Sequence, residues 1–551
     1  MNEDTKESSR KKRKGLSWRA WHKWVGLFFS IFILLFCFSG IVMNHRQLLS
    51  NCEVSRWWLP EAYHIKDWNQ GILRGTLPLD SAMSAELNAP LLAWGGAGCW
   101  LTDLQFGEWQ DFNTGITPGI DNRKITDVVR TGDGRLWCAG LYDAYTYNNN
   151  THAWEALLLP GNDERISDVA LRGGDTIVVM TRSTLYEAVA PDYRFEERPV
   201  RTPEGYVNQT TLFKTFWMLH SGDLFGLPGR LVVDCMGLVL IILCLTGIFF
   251  FFLPYSLRRS NRKLREAQDE AVKAQAKASV ARQARWMKWN LKWHNRFGSS
   301  LIILTLLLSV TGMCLRPPFM VPLVLTHTRP IPYSTMDSDN VFHDKLRALR
   351  WDDQLGVWLL STSEGFFALD GNLQTAAPVA IPAEQAPQVS PMGITVFERS
   401  ADNAGSWLIG SMSGLYRWNP LTGEVIDWYT GEPYTKPSGY PVGGHAVTGY
   451  SADMDGSPVV FEYSSAPNVA LPPMPEVLSS QPMSLWNFAL ELHVGRCYEP
   501  FLGSILSVLF VFISGLLLTL ILLSGYIIYR RSKPKKGKAT DKQVLKLTNT
   551  L

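Results

Sequence analysis

The chain has 551 residues, with 46% hydrophobic against 19% charged, a balance that excludes a mainly disordered protein. A formal net charge of +3 is too small to mark a nucleic-acid binder, and 8 cysteines are too few for a disulfide scaffold in a chain this long. Four apolar runs are long enough to cross a bilayer, which takes about 20 apolar residues.

In chain order, residues 1–24 form a basic N-terminus with RKKRK at 10–14, and residues 25–45 form the first span. A signal peptide is rejected there, because the run is too long and no small-residue cleavage site follows. Residues 46–230 are a long polar segment, and 231–255 are the second span. The loop 256–297 is Ala-rich without a breaker and predicts a helix. Its stretch 258–296 holds 12 Lys and Arg against 3 Asp and Glu. Residues 298–316 are the third and shortest span, 317–500 a second long polar segment, 501–529 the fourth span, and 530–551 a basic tail. Basic residues are retained in the cytoplasm, so both termini and the short loop belong inside and the two long segments outside. That arrangement is expected in a bacterial inner membrane. The loop is too small for a nucleotide or flavin domain, and neither a Gly-rich dinucleotide fingerprint nor a P-loop occurs.

The chain reads as a duplication. Trp21, His22 and Gly26, followed by Ser39-Gly40, recur 272 residues later as Trp293, His294, Gly298 and Thr311-Gly312. Leu219-His220 and Gly222 recur 273 residues later as Leu492-His493 and Gly495. The spans that follow end in Thr246-Gly247 and Ser524-Gly525, with a five-residue shift. The unit is therefore span, outer segment, span, repeated once.

The outer segments are rich in Gly, Trp and short alternating strands. KITDVVRTGDGRLWCAG at 124–140 matches RISDVALRGGDTIVVMT at 165–181, at an offset of 41. A degraded unit starting at Leu91 precedes them, and units near 345, 395 and 445 keep the cadence in the second half. A period near 40 with several strands per unit predicts propeller-type blades, three from each half. Two separate β-domains are the rival. The expected fold is thus an α-helical membrane protein of four spans, carrying an all-β, propeller-like periplasmic domain.

Histidine placement points to function. His22 and His294 open spans one and three on the inner side. His220 and His493 lie just outside spans two and four, on short apolar segments. His45 ends span one on the outer side, and Pro317 stands at its repeat position. A pseudo-twofold axis along the membrane normal would pair His22 with His294 and His220 with His493. Facing imidazoles suit a metal or a haem iron, and two such sites across a bilayer would make an electron path. His64, His152, His327, His343 and His445 carry no such pattern. Asp234, in the second span, is read as structural, and no span shows a broken-helix signal.

These residues resemble a known family. Trp21-His22 to Gly26 with Ser39-Gly40 and His45, and the Leu-His-x-Gly elements at 219 and 492, are similar to the helices of PepSY-associated transmembrane proteins. Members of this type include inner-membrane ferrisiderophore reductases that carry haem between membrane helices. The resemblance implies two haems b, bound through His22, His294, His220 and His493 with His45 as a further candidate. It also implies electron transfer from a quinol or a cytoplasmic reductase to a periplasmic ferric complex or its carrier. As an enzyme the protein would be a haem-dependent ferric reductase, with no acid–base residues of its own. Pro317 and the large outer segments depart from the family pattern. The alternative is a non-enzymatic, membrane-anchored propeller that binds a partner. Either way the lipid bilayer is a partner and nucleic acid is not.

Overall fold

The computed structural model describes residues 17–373, 377–388, 390–403, 405–435 and 444–533. The chain divides into two units. A helical unit contains the chain up to Asn44, Thr210–Thr328 and the chain from Ala489 on. A β unit contains His45–Gln209 and Arg329–Phe488.

The helical unit is built on α1 (Trp18–Asn44), α2 (Leu212–Ser221), α3 (Gly226–Glu266), α4 (Glu270–Ser300), α5 (Ile302–Cys314), α6 (Leu485–His493) and α7 (Glu499–Ser532). Three segments are long and apolar enough to cross a membrane: α1, α3 with its lead-in from Asp223, and α7 with its lead-in from Arg496. A fourth crossing exists if α4 and α5, bent by 65°, make one span. This bend corrects the expectation of unbroken spans. Its cause is local: Gly298, Ser299 and Ser300 are poor helix formers in sequence. The Ser300 hydroxyl donates to the Arg296 carbonyl at 2.7 Å, and Leu301 leaves the helix at φ −106° and ψ 13°.

Phe29, Ile33 and Cys37 of α1, Leu240 and Cys244 of α3, and Ile521 and Leu522 of α7 form the core of this unit. Small residues let the helices approach, as membrane helices require. A Cβ on Gly515 of α7 would stand 2.2 Å from Met313 of α5. Asp234 is buried and accepts from Asn44 Nδ2 at 2.9 Å, which ties α3 to the end of α1. The basic loop is helical. α3 runs 41 residues, about 60 Å at ~1.5 Å per residue, and so extends far beyond an apolar core of about 30 Å. Asp269 caps α4 by accepting from Ala271 N at 2.7 Å.

Among the described residues, the β unit holds seven small antiparallel sheets, and none of them curls closed into a barrel. One is a short pairing of Glu53–Val54 with Met483–Ser484, and the other six match the predicted units one for one. The opening strands are Gly75–Pro78, Asp127–Arg130, Ile166–Arg172, Leu346–Asp352, Val396–Arg399 and Val447–Ser451. The first five sheets have four strands and the sixth has two. Apolar clusters lie between successive sheets. Leu92, Trp94 and Cys99 of the first pack on Val128, Leu136 and Cys138 of the second. Val459 and Phe461 of the sixth pack on Leu91, Ala93 and Trp100 of the first. Polar bonds join the same neighbours, among them Gly132 N to Gly174 O at 2.6 Å, Thr395 Oγ1 to Val447 O at 2.7 Å, and Thr76 with Ser451 at 2.7 Å.

One charged cluster connects the opening strands. Arg350 donates to Asp168 Oδ2 at 2.8 Å, to Asp127, and through Nε to the Phe397 carbonyl at 2.7 Å. Arg74 donates to Ile394 O at 2.8 Å. Three carboxylates, Asp127, Asp168 and Glu398, thus meet two guanidinium groups. Burial, then repulsion from Asp127, pushes Glu398 up to about 8 from an ordinary 4.5.

Arg350→Ala leaves Asp127 and Asp168 buried without their cation, and is expected to destabilise the β unit by about 3–5 kcal/mol. Thermal unfolding of the purified chain measures this. Glu398 binds its proton more tightly when folded, so its contribution is complete below about pH 4.5 and fades as pH rises through about 8. The melting temperature is expected to fall from pH 5 to pH 8.5, and Glu398→Gln to flatten part of that fall.

Candidate functional site

The candidate site is a pair of histidine pairs in the helical unit. The first turns of α1 and the last turns of α4 supply His22 and His294. Their ring centres lie 6.3 Å apart with planes at 80°. The ends of α2 and α6 supply His220 and His493, with centres 6.1 Å apart and planes at 62°. Each of these two short helices stops at a left-handed glycine, Gly222 at φ 86° and Gly495 at φ 82°. Only a residue without Cβ adopts this turn cheaply, and it reverses the chain into the following span. The N-termini are capped too: Thr211 accepts from Lys214 N at 3.0 Å and Ser484 from Asn487 N at 3.2 Å. The Leu-His-x-Gly elements are therefore helix ends that present histidine.

Every one of the four rings rests on a hydroxyl. His22 Nδ1 lies 3.0 Å from Ser524 Oγ and 3.1 Å from the Ile521 carbonyl on α7. His294 Nδ1 lies 2.9 Å from Thr246 Oγ1 on α3. His220 Nδ1 lies 3.0 Å from Thr311 Oγ1 on α5, and His493 Nδ1 lies 2.9 Å from Ser39 Oγ on α1. Each hydroxyl has one proton and already donates it within its own helix: Ser39 to Leu35 O at 2.7 Å, Thr246 to Ile242 O at 2.6 Å, Thr311 to Leu307 O at 2.8 Å, and Ser524 to Ile521 O at 2.8 Å. The imidazole nitrogen must then donate. This assigns the proton to Nδ1 and leaves the Nε2 lone pair available on all four rings.

The residue after each hydroxyl is glycine, and the ring occupies the space a side chain would fill. A Cβ would stand 2.9 Å from His220 Cε1 at Gly312, 2.9 Å from His22 Cε1 at Gly525, 3.5 Å from His493 Cε1 at Gly40 and 3.7 Å from His294 Cε1 at Gly247. Neighbours steady these seats. Asn290, one turn before His294, donates to the Thr246 carbonyl at 2.8 Å, and Phe36 meets the His493 ring edge-on at 5.4 Å.

The donor set can be tested against a metal group. Two imidazoles on one metal, with metal–nitrogen bonds of about 2.0–2.1 Å and ring centres roughly 1.1 Å behind each nitrogen, have centres about 6.3 Å apart when in line. Both pairs fit that spacing. Among the described residues no cluster of three or more His, Cys, Asp or Glu could hold a bare ion. Each pair offers only two nitrogens, which suits a group that brings its remaining ligands itself, as a haem does. Ser39 lies 17 positions beyond His22 on α1, so the two sites are about 25 Å apart along the helix, close to one hydrocarbon thickness.

Four of the five predicted site residues are therefore brought together in two pairs. His45 follows α1 in a turn of the β unit, where its carbonyl accepts from Leu49 N at 3.1 Å. The four hydroxyls were visible in sequence as the repeated Ser/Thr-Gly pairs, but nothing local to them indicated that they hold rings.

A family model described as the PepSY-associated TM region matches residues 3–253 and again 260–532, one match for each half. No curated protein matches the chain. Among solved structures, the chain is similar to the extracellular domain of a hybrid two component system from B. thetaiotaomicron, at 10% identity and a TM-score of 0.32, over 72% of this chain and 32% of that one. A one component system domain from the same organism matches at 11% identity and a TM-score of 0.32, over 77% and 36%. The chain spans about a third of the length of both.

The glycine distances rank the seats. Gly312→Ala and Gly525→Ala are expected to cost about 1–3 kcal/mol by overpacking. Gly40→Ala and Gly247→Ala meet ordinary van der Waals distances and should cost less. Melting temperatures of the four variants in detergent check the order.

Proposed function

The chain belongs to the PepSY-associated TM family, and from that premise we propose that it carries electrons across a bacterial inner membrane. Its two histidine pairs would each hold a b-type haem, and the acceptor would be a periplasmic ferric, siderophore-type complex, in iron acquisition. The observation that carries this reading is the spacing of the two histidine pairs, 6.3 and 6.1 Å between ring centres, each ring with its Nε2 available. His22 and His294 would hold one haem, and His220 and His493 the other. His45 is assigned no ligand role.

Haem iron supplies a one-electron ferric–ferrous couple. The chain holds each imidazole by a hydroxyl, closes the space beside it with helix packing, and sets the two sites close to one hydrocarbon thickness apart. The basic residues at both ends and in the 258–296 loop support cytoplasmic termini, with His22 and His294 on the inner side. With no dinucleotide or P-loop motif in the sequence, electrons enter from a quinol or from a cytoplasmic reductase. On the outer side, reduction frees iron because hard oxygen donors hold the ferrous ion less tightly. The six sheets serve as blades of one periplasmic propeller. The contacts between successive opening strands, and the return of the sixth sheet to the first, support that arrangement.

Purified from haem-supplied cells, the protein is expected to give a b-type reduced-minus-oxidised spectrum with close to two haems per chain. His22→Ala or His294→Ala should remove one component, and His220→Ala or His493→Ala the other. A colourless preparation would end this reading and leave a membrane-anchored β scaffold.

A further inference from the structure

Each of the four ring contacts joins opposite halves of the duplicated chain. His22 and His220 of the first half rest on Ser524 and Thr311 of the second. His294 and His493 of the second half rest on Thr246 and Ser39 of the first. The same motif, a helical hydroxyl followed by glycine, occurs in all four positions, and all four hydroxyls lie on spanning helices at repeat-related sites. Packing alone needs no hydroxyl at these places. Ser39 and Ser524 are almost completely buried, where a polar atom costs free energy unless it is bonded.

We propose that Ser39, Thr246, Thr311 and Ser524 are positioning residues for the paired imidazoles. Each accepts the Nδ1 proton of a histidine from the other half, and together they set how strongly the four Nε2 atoms hold oxidised iron. The proposal rests on the bis-histidine reading above. A hydrogen-bonded Nδ1–H makes its Nε2 a stronger donor and fixes the ring plane. A stronger donor favours the ferric form and lowers the reduction potential. Because the contacts cross between halves, Ser39 and Thr311 act together on the His220–His493 site. Thr246 and Ser524 act together on the His22–His294 site.

The residues that share a site are far apart in sequence, 272 positions for Ser39 and Thr311 and 278 for Thr246 and Ser524. Neighbours along one helix fall on different sites: Ser39 acts on one, whereas His22 of the same helix belongs to the other. A variant that merely loosens α1 would disturb both. The grouping of effects is therefore the signature of the hydrogen bond.

The test is redox titration of the purified holoprotein, with haem-to-protein ratio measured alongside, for Thr311→Val, Ser39→Ala, Thr246→Val and Ser524→Ala. Thr311→Ser and Thr246→Ser are the conservative controls. The expected result is retention of both haems, with one component shifted to higher potential in each variant. Thr311→Val and Ser39→Ala should shift the same component, and Thr246→Val and Ser524→Ala the other. A shift of up to tenfold in the reduced-to-oxidised ratio is expected, about 59 mV for a one-electron couple. The serine controls should keep the native potentials. Unchanged potentials in all four variants would overturn the proposal. So would equal shifts of both components, or serine controls that behave like the valine variants. Absence of haem from the unmodified protein is a different result, and refutes the bis-histidine reading instead.

Discussion

A histidine ring that donates its Nδ1 proton to a hydroxyl on a helix of the other half is the interaction on which the helical unit depends. It occurs four times, at 2.9–3.0 Å. Each occurrence fixes three things at once: the tautomer, the ring plane and the contact between two helices. Glycine follows each hydroxyl because the ring lies where a Cβ would be. The glycine turns after α2 and α6 end those helices at His220 and His493, which meet each other although they lie on different elements. Neither half holds its own rings, so both sites require the two halves to be docked.

Duplication explains why there are two sites and why they are alike. Each half has a histidine at the start of its first helix and another at the entry to its last, and so supplies one histidine to each pair. Two copies about a pseudo-twofold axis supply both. The symmetry is incomplete in informative places. Pro317 stands where His45 would recur, and α5 is short and broken from α4 where α1 is continuous. The break leaves the partners in place: Thr311 lies beyond the bend and still meets His220, while His294 lies before it and meets Thr246.

The β unit is organised by a different constraint, the burial of charge among opening strands. Arg350 connects the second, third, fourth and fifth sheets through Asp127, Asp168 and the Phe397 carbonyl. Burial, then repulsion from Asp127, raises Glu398 of this cluster to about 8. Such a hub often stabilises no more than apolar packing of the same volume would. The apolar clusters between successive sheets, with Trp137, Trp154, Trp358 and Trp418 fully buried, supply the bulk of the cohesion.

The sequence by itself determined the apolar spans, the duplication, the six strand units and the pairing of His22 with His294 and His220 with His493. Hydropathy, repeat offsets and basic flanks are local or periodic, and they survive in one dimension. The rest was decided by tertiary structure. His22 and Ser524 are 502 positions apart, and no local pattern states that one rests on the other. The Ser/Thr-Gly pairs were legible as repeats, but their role depends on which helix packs beside them. The bend at Leu301 depends on a serine hydroxyl choosing a carbonyl of its own helix, and the upward shift of Glu398 on burial and on the carboxylate of Asp127 nearby. These are properties of neighbours in space, and a chain acquires such neighbours only when it folds.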